Sequence, residues 1–556
     1  MKFKTILNKK KFRIILKYKS LTFYGEYIDV IIENKLYDIN FLPKLLNKYD
    51  LDTIITNSVG SFFVIEKKLR TYKIYNSFGN TSLFLKMEKN NFVLTDNEKR
   101  IIITNKFLNY RNYFFFIKSH RHIGLNPFND ITFKNKRIPN GYSCLIKNKN
   151  VIFNKILENN KFFYSQKKNV YEELLTKILK IYKKRYKNLQ LGISGGIDSA
   201  VLFLILSKNK TKFSSYFSMD NNKVIPSAIS YLMIKYLCKK YKKALTLRKN
   251  KFKNLKTVKK ELSHYYSFHF KKNQINKNLF PLKKTYIIGQ NLDTLYYNDT
   301  FAPSTYIINL KKIVLILKTL HLRFISTYLF YKIMNFIYSF LSKKKLSRVL
   351  LNRIEKISSS TKEHEPFFFN SSNYTKYNRS ENFLKPIIKN LKLNNKYKYK
   401  TNEISQLVKD IKWLRFVINT KLLYSNYENY FNVKILTPYS EGPMVNFFYN
   451  YKLKFKEIFF IKDLQNYIIK KHENRSFWTL QIFLKTKYKL ANFLINKKIN
   501  VKKKQSKLKI EKYADLKKIK FNSKKIESIK SKLSNICKNE DELLRLNNLL
   551  VYLDNK

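Results

Sequence analysis

Residues 189–200 read Leu189-Gln190-Leu191-Gly192-Ile193-Ser194-Gly195-Gly196-Ile197-Asp198-Ser199-Ala200. A short apolar run ends, two adjacent glycines permit a tight turn, and an apolar stretch of helical character begins at Ser199. Main-chain N–H groups at the start of a helix, aided by its dipole, form an anion site, and glycine lets a phosphate approach the backbone closely. Ser194 and Ser199 supply hydroxyls, and Asp198 can hold the Mg2+ that a polyphosphate needs. These features predict a pyrophosphate-binding loop whose ligand is ATP, formed by Ser194, Gly195, Gly196, Asp198 and Ser199. The lysine of the GxxxxGK[ST] loop is absent, which excludes kinase- and GTPase-type phosphate binding. The plainer reading is an ordinary strand-to-helix turn with Asp or Ser as its cap.

The surroundings favour the first reading. Leu174, Leu175, Ile178, Leu179 and Tyr182 lie on one helical stripe before the loop. A helix follows the loop to about 206. Then come a strand at 213–217, a helix at 226–239, and strands at 244–247 and 286–288. Strands alternating with helices predict a parallel sheet covered by helices, hence an α/β fold. Before residue 155 the texture is β-rich: 61–65, 72–75 and 142–146 read as strands, with turns at Gly79 and at Pro139-Asn140-Gly141. Residues 305–360 pattern as helix, 361–403 as polar loops, and helix resumes at about 404. The expected division is 1–155, 156–496 and a lysine-rich helical tail, 497–556.

With 556 residues the chain has room for about three domains. A hydrophobic share of 44% and an aromatic share of 16% exclude a wholly disordered polymer. The formal charge of +75 suggests a nucleic-acid partner at first sight. The excess is spread along the chain and is mainly lysine, accompanied by Asn, Ile, Tyr and Phe, all residues with A/T-rich codons. Genomic bias accounts for that pattern, and no specific nucleic acid is expected. Cys144, Cys238 and Cys537 form no CxxC pair and the histidines show no ligand spacing, so neither a disulfide frame nor a zinc site is expected, and the reducing cytoplasm is the expected compartment. The N-terminus has no signal-peptide pattern. The run 324–341 reads as a buried or surface helix rather than a membrane span. The basic tail reads as a solvated helix, with peripheral membrane contact as its alternative.

The hexamer Ser194–Ser199 matches the SGGxDS loop of the N-type ATP pyrophosphatases, and its surroundings resemble the asparagine synthetase family. In that family a GxGxDE-like segment follows. Here Gly289-Gln290-Asn291-Leu292-Asp293-Thr294 stands in its place, with Asn291 for the second glycine and Thr294 for the glutamate. Pro438-Tyr439-Ser440-Glu441-Gly442-Pro443-Met444-Val445 resembles the family's PFLDxxLV segment, with Glu441 where the aspartate sits. By this resemblance Gly289 joins the nucleotide site, Asp198 and Asp293 are magnesium ligands, and Lys462 is the catalytic cation beside the departing pyrophosphate. The N-terminal part is similar in outline to the family's glutaminase domain, an Ntn-type α+β sandwich, through Gly60-Ser61-Phe62-Phe63, Ser77-Phe78-Gly79, Thr95-Asp96-Asn97-Glu98 and Ile138-Pro139-Asn140-Gly141. The whole resemblance covers most of residues 55–465.

One departure changes the chemistry. The family's glutaminase uses a cysteine exposed by removal of the initiator methionine, whereas Lys2 and Phe3 stand here. The resemblance therefore implies an AMP-forming, amide-forming ligase without a glutaminase of its own. Its partners would be a small-molecule or peptide carboxylate and an amine donor, with ammonia supplied free, by a separate subunit, or replaced by an amine of the substrate. Two other expectations are carried: a PP-loop enzyme acting on RNA, and a non-catalytic scaffold.

Overall fold

The computed structural model describes residues 2–101, 135–219, 231–249, 285–295, 413–451, 463–473 and 524–554, apart from short gaps within them, together with Phe128. The expected helices at 305–360, the apolar run 324–341, the polar stretch 361–403 and most of the basic tail lie outside the described residues. The chain is mixed α/β, with four sheets among the described residues. Among the described residues no helix is long and apolar enough to cross a membrane.

The central element is a five-stranded sheet with every pairing parallel. Its strands are β1 (Leu189–Gly192), β2 (Phe213–Met219), β3 (Leu245–Lys249), β4 (Thr285–Ile288) and β5 (Lys434–Leu436), in the spatial order β3-β2-β1-β4-β5. Period-two alternation sends neighbouring side chains to opposite faces. Ile287, Leu436 and Phe217 join one large core, while Tyr286, Ile435 and Tyr216 join another on the far side. The first core is closed by α1 (Lys168–Arg185), α2 (Ile197–Lys208), α4 (Gly442–Tyr449) and α5 (Asp463–His472). The second is closed by α3 (Ile418–Phe431) through Tyr424 and Phe431.

The N-terminal part stacks two sheets. One is a six-stranded antiparallel sheet built from 13–18, 21–25, 62–68, 71–76, 142–147 and 150–155. The other has four strands, 2–6, 83–87, 91–95 and 136–138. Phe63, Ile65, Ile74, Cys144 and Ile146 from the first meet Leu83, Leu85, Phe92, Leu94 and Ile138 from the second. Cys144 is fully buried there, and burial pushes its thiol up to about 12. The thiolate is the reactive form. Alkylation of Cys144 in the native protein at pH 8 is therefore expected to run at least a hundredfold slower than that of a free cysteine, and to appear only on unfolding. Peptide mapping after timed iodoacetamide treatment checks this, and rapid native labelling would refute it.

The two parts share a tightly packed interface. A Cβ at Gly442, where α4 begins, would lie 2.5 Å from the Thr56 carbonyl, so only glycine fits. Next to it, Asn57, Asn160 and Asn446 close a ring of buried amides: Asn57 donates to Asn160 (3.4 Å), Asn160 to Asn446 (3.2 Å) and Asn446 to Asn57 (2.7 Å). Each amide gives and receives one bond, so burial leaves the ring satisfied.

Candidate functional site

The order β3-β2-β1-β4-β5 reverses direction between β1 and β4, since the chain builds outward from β1 to β3 and then resumes on its other side. In open α/β sheets ligands bind outside the carboxyl ends of the strands at such a switch point. Gly192, the last residue of β1, pairs with Ile288, the last of β4, so the Ser194–Ser199 loop and Gly289 emerge side by side at that place. A Cβ at Gly289 would sit 3.2 Å from the Ser199 nitrogen and 3.4 Å from the Asp198 carbonyl carbon. Any side chain there would crowd the start of α2.

Helix α2 begins with Gly196 as its N-cap, extended at φ −82° and ψ 157° and without a side-chain cap. Its leading amides therefore have no carboxylate or hydroxyl from the capping position over them. Asp198 occupies the first turn and is partly exposed. Ser199 is buried; its hydroxyl accepts from the Ser194 N–H (3.1 Å) and donates to the Gly196 carbonyl (3.0 Å), which ties the two ends of the loop together. Ser194 is exposed, and its oxygen accepts a long bond from the Gly196 N–H (3.3 Å). The exposed Ser194 hydroxyl also lies 3.3 Å from the Ser199 hydroxyl, and Ser199 shapes the turn.

With the loop as the first, two further segments far apart in sequence converge here. Gly289 abuts Ser199 as described. Tyr439, in the turn Pro438–Ser440 after β5, donates its hydroxyl to the Asp198 carbonyl at 2.8 Å. Asn291 donates to the Ser440 hydroxyl at 3.4 Å, joining the second segment to the third. Asn291 also has φ +74°, a left-handed backbone that favours glycine and that Asn tolerates best among the remaining residues. The replacement of the family-like second glycine by Asn291 therefore preserves the backbone requirement of that position. Gly195, Asp293, Thr294 and Lys462, the last three named by the resemblance, lie outside the described residues, so the expected second magnesium ligand and expected catalytic lysine are not placed. Among the described residues no three His, Cys, Asp or Glu side chains gather as a metal site.

Glu441, which stands where the resembling segment has aspartate, points away from the loop into the interface with the N-terminal part. It accepts from the Tyr182 hydroxyl (2.7 Å) and the Gly60 N–H (3.2 Å). Burial pushes its pKa above the usual carboxylate range, with Lys421 and those two bonds opposing the shift. Behind it lies a buried charge cluster that no motif announces. Lys11 pairs with Glu428 (2.7 Å), and Lys434 with Glu26 (3.1 Å) and Glu428 (3.8 Å). Lys421 is fully buried without a hydrogen bond or ion pair of its own among the described residues. Compared with known proteins, the chain matches no family model and no curated sequence.

Proposed function

We propose that the chain is an ATP-dependent ligase that activates a carboxylate as its adenylate, releases pyrophosphate and passes the acyl group to an amine. The observation that carries this reading is the placement of Ser194–Ser199 at the switch point of the parallel sheet, at the start of α2 and flush against Gly289. The same placement supports a PP-loop architecture for the sheet, and the stacked sheets before it support a degenerate Ntn-type module. ATP rests its β- and γ-phosphates on the loop amides and the Ser194 hydroxyl. A substrate carboxylate oxygen attacks the α-phosphorus, the bond to the bridging oxygen breaks, and pyrophosphate leaves with the electron pair. An amine then attacks the acyl carbon, loses its proton to a base, and AMP departs to leave an amide. Asp198 and Asp293 would hold Mg2+, which supplies charge neutralisation for the polyphosphate, and Lys462 would add a further cation.

The burial of Cys144, which pushes its thiol up to about 12, supports an amine source other than that thiol. A non-catalytic reading draws on the serine bonds inside the loop, which satisfy two of its amides in place of a ligand. ATP–pyrophosphate exchange with a panel of amino, sugar and peptidyl carboxylic acids separates the two. Acid-dependent exchange is expected. Absence of both exchange and ATP binding would overturn the ligase reading in favour of a scaffold.

A further inference from the structure

We infer that Tyr439 is a positioning residue that sets the direction of the Asp198 carboxylate toward the metal of bound ATP, an inference that rests on the ligase reading. The Tyr439 ring is fully buried, and its hydroxyl reaches across the sheet end to the main-chain oxygen of Asp198 at 2.8 Å. A carbonyl has two lone pairs, so it accepts this bond in addition to the helical one. Tyr439 holds the very residue whose side chain is the candidate metal ligand, and fixing that carbonyl fixes the rotation of the first turn of α2. A phenylalanine would pack the same volume without this tie, and the resembling segment, PFLDxxLV, has phenylalanine there.

A second observation points the same way. The Tyr171 hydroxyl of α1 and both ends of the Gln465 amide of α5 lie buried without a hydrogen bond among the described residues. Tyr171 lies close to Tyr439, Gln465 and the Asp198 carboxylate. Unsatisfied buried polar groups destabilise a fold, and apolar side chains at these places would avoid that cost. These two side chains, from two helices, lie close to Asp198 and make sense as a polar bed for it.

The test uses the full chain with Tyr439→Phe, which removes one oxygen and keeps the ring. ATP affinity is measured by calorimetry in EDTA and again in MgCl2. The expected result is a loss of about fivefold in Mg2+-dependent affinity, the effect of one net hydrogen bond, with metal-free affinity unchanged and the unfolding temperature lowered only slightly. Added to Asp198→Asn, the substitution is expected to cause no further loss, because it acts through Asp198. Wild-type affinity for MgATP in the variant, an equal loss with and without Mg2+, or full additivity with Asp198→Asn would overturn the inference and leave the ligase reading standing. Failure of the wild-type chain to bind ATP in either condition would overturn both.

Discussion

Asp198→Asn is expected to lower ATP–pyrophosphate exchange by two to three orders of magnitude while leaving the fold intact. The carboxylate sits in the first turn of α2, partly exposed, at the reversal point of the sheet. Two effects of its removal compete. An acidic side chain near a helix N-terminus stabilises the helix by about 0.3–1 kcal/mol, so stability falls only slightly. Loss of a charged group acting on developing charge costs about 3–4 kcal/mol in the transition state, which dominates the rate. The sign for ATP alone is the opposite: neutralising a carboxylate beside a polyphosphate relieves repulsion, so affinity in EDTA stays level or rises. Exchange kinetics, calorimetry and thermal unfolding on the same samples measure all three. Exchange within tenfold of wild type would remove Asp198 from the mechanism.

Much of the parallel sheet is legible in the sequence because short strands carrying apolar residues alternate with helical patterns. The runs at 189–193, 213–217, 244–247 and 286–288 became Leu189–Gly192, Phe213–Met219, Leu245–Lys249 and Thr285–Ile288. The helix expected from Ser199 starts two residues earlier, at Ile197, since glycine at 196 is the cap. The fifth strand, Lys434–Leu436, escapes such a reading: it is three residues long and opens on a lysine. Strands such as Arg13–Tyr18 are half-exposed and interrupted by basic residues, so they show no clean period. The loop could be read locally, because strand, turn and helix are contiguous. Its supports could not, because Tyr439 meets Asp198 across 241 residues. Asn291 looked like erosion of a motif by residue type alone, and only its backbone angle reveals a glycine-like position. In a chain with 112 lysines and arginines, no pattern marks which few lie in the interior.

Lys421 is the sharpest such case, and Lys421→Met is expected to stabilise the protein by roughly 3 kcal/mol at pH 7. The ammonium, carried on α3, is fully buried about 6.0 Å from the Trp413 ring, and burial depresses it from the ordinary 10.5 to about 8. Glu441 and Glu428 face it and pull the other way, and their attraction is already contained in that value. Below pH 8 the folded chain therefore carries a charge that it holds less favourably than the unfolded chain does. Between about 8 and 10.5 the folded chain releases this proton while the unfolded chain keeps it, so the contribution of this site to stability rises with pH across that window. Methionine fills a similar volume without any charge to bury. Removing a counter-charge from Glu441 weighs against the gain, but Lys434, the Tyr182 hydroxyl and the Gly60 N–H remain on that carboxylate. The advantage of the variant should thus be largest at neutral pH and shrink as pH climbs toward 10.5. Urea unfolding of both proteins at several values between pH 6.5 and 10 reads the difference directly, with the titration of all other groups common to the pair. A variant less stable than wild type throughout would mean that the buried ammonium is held more favourably by its carboxylates than water holds it.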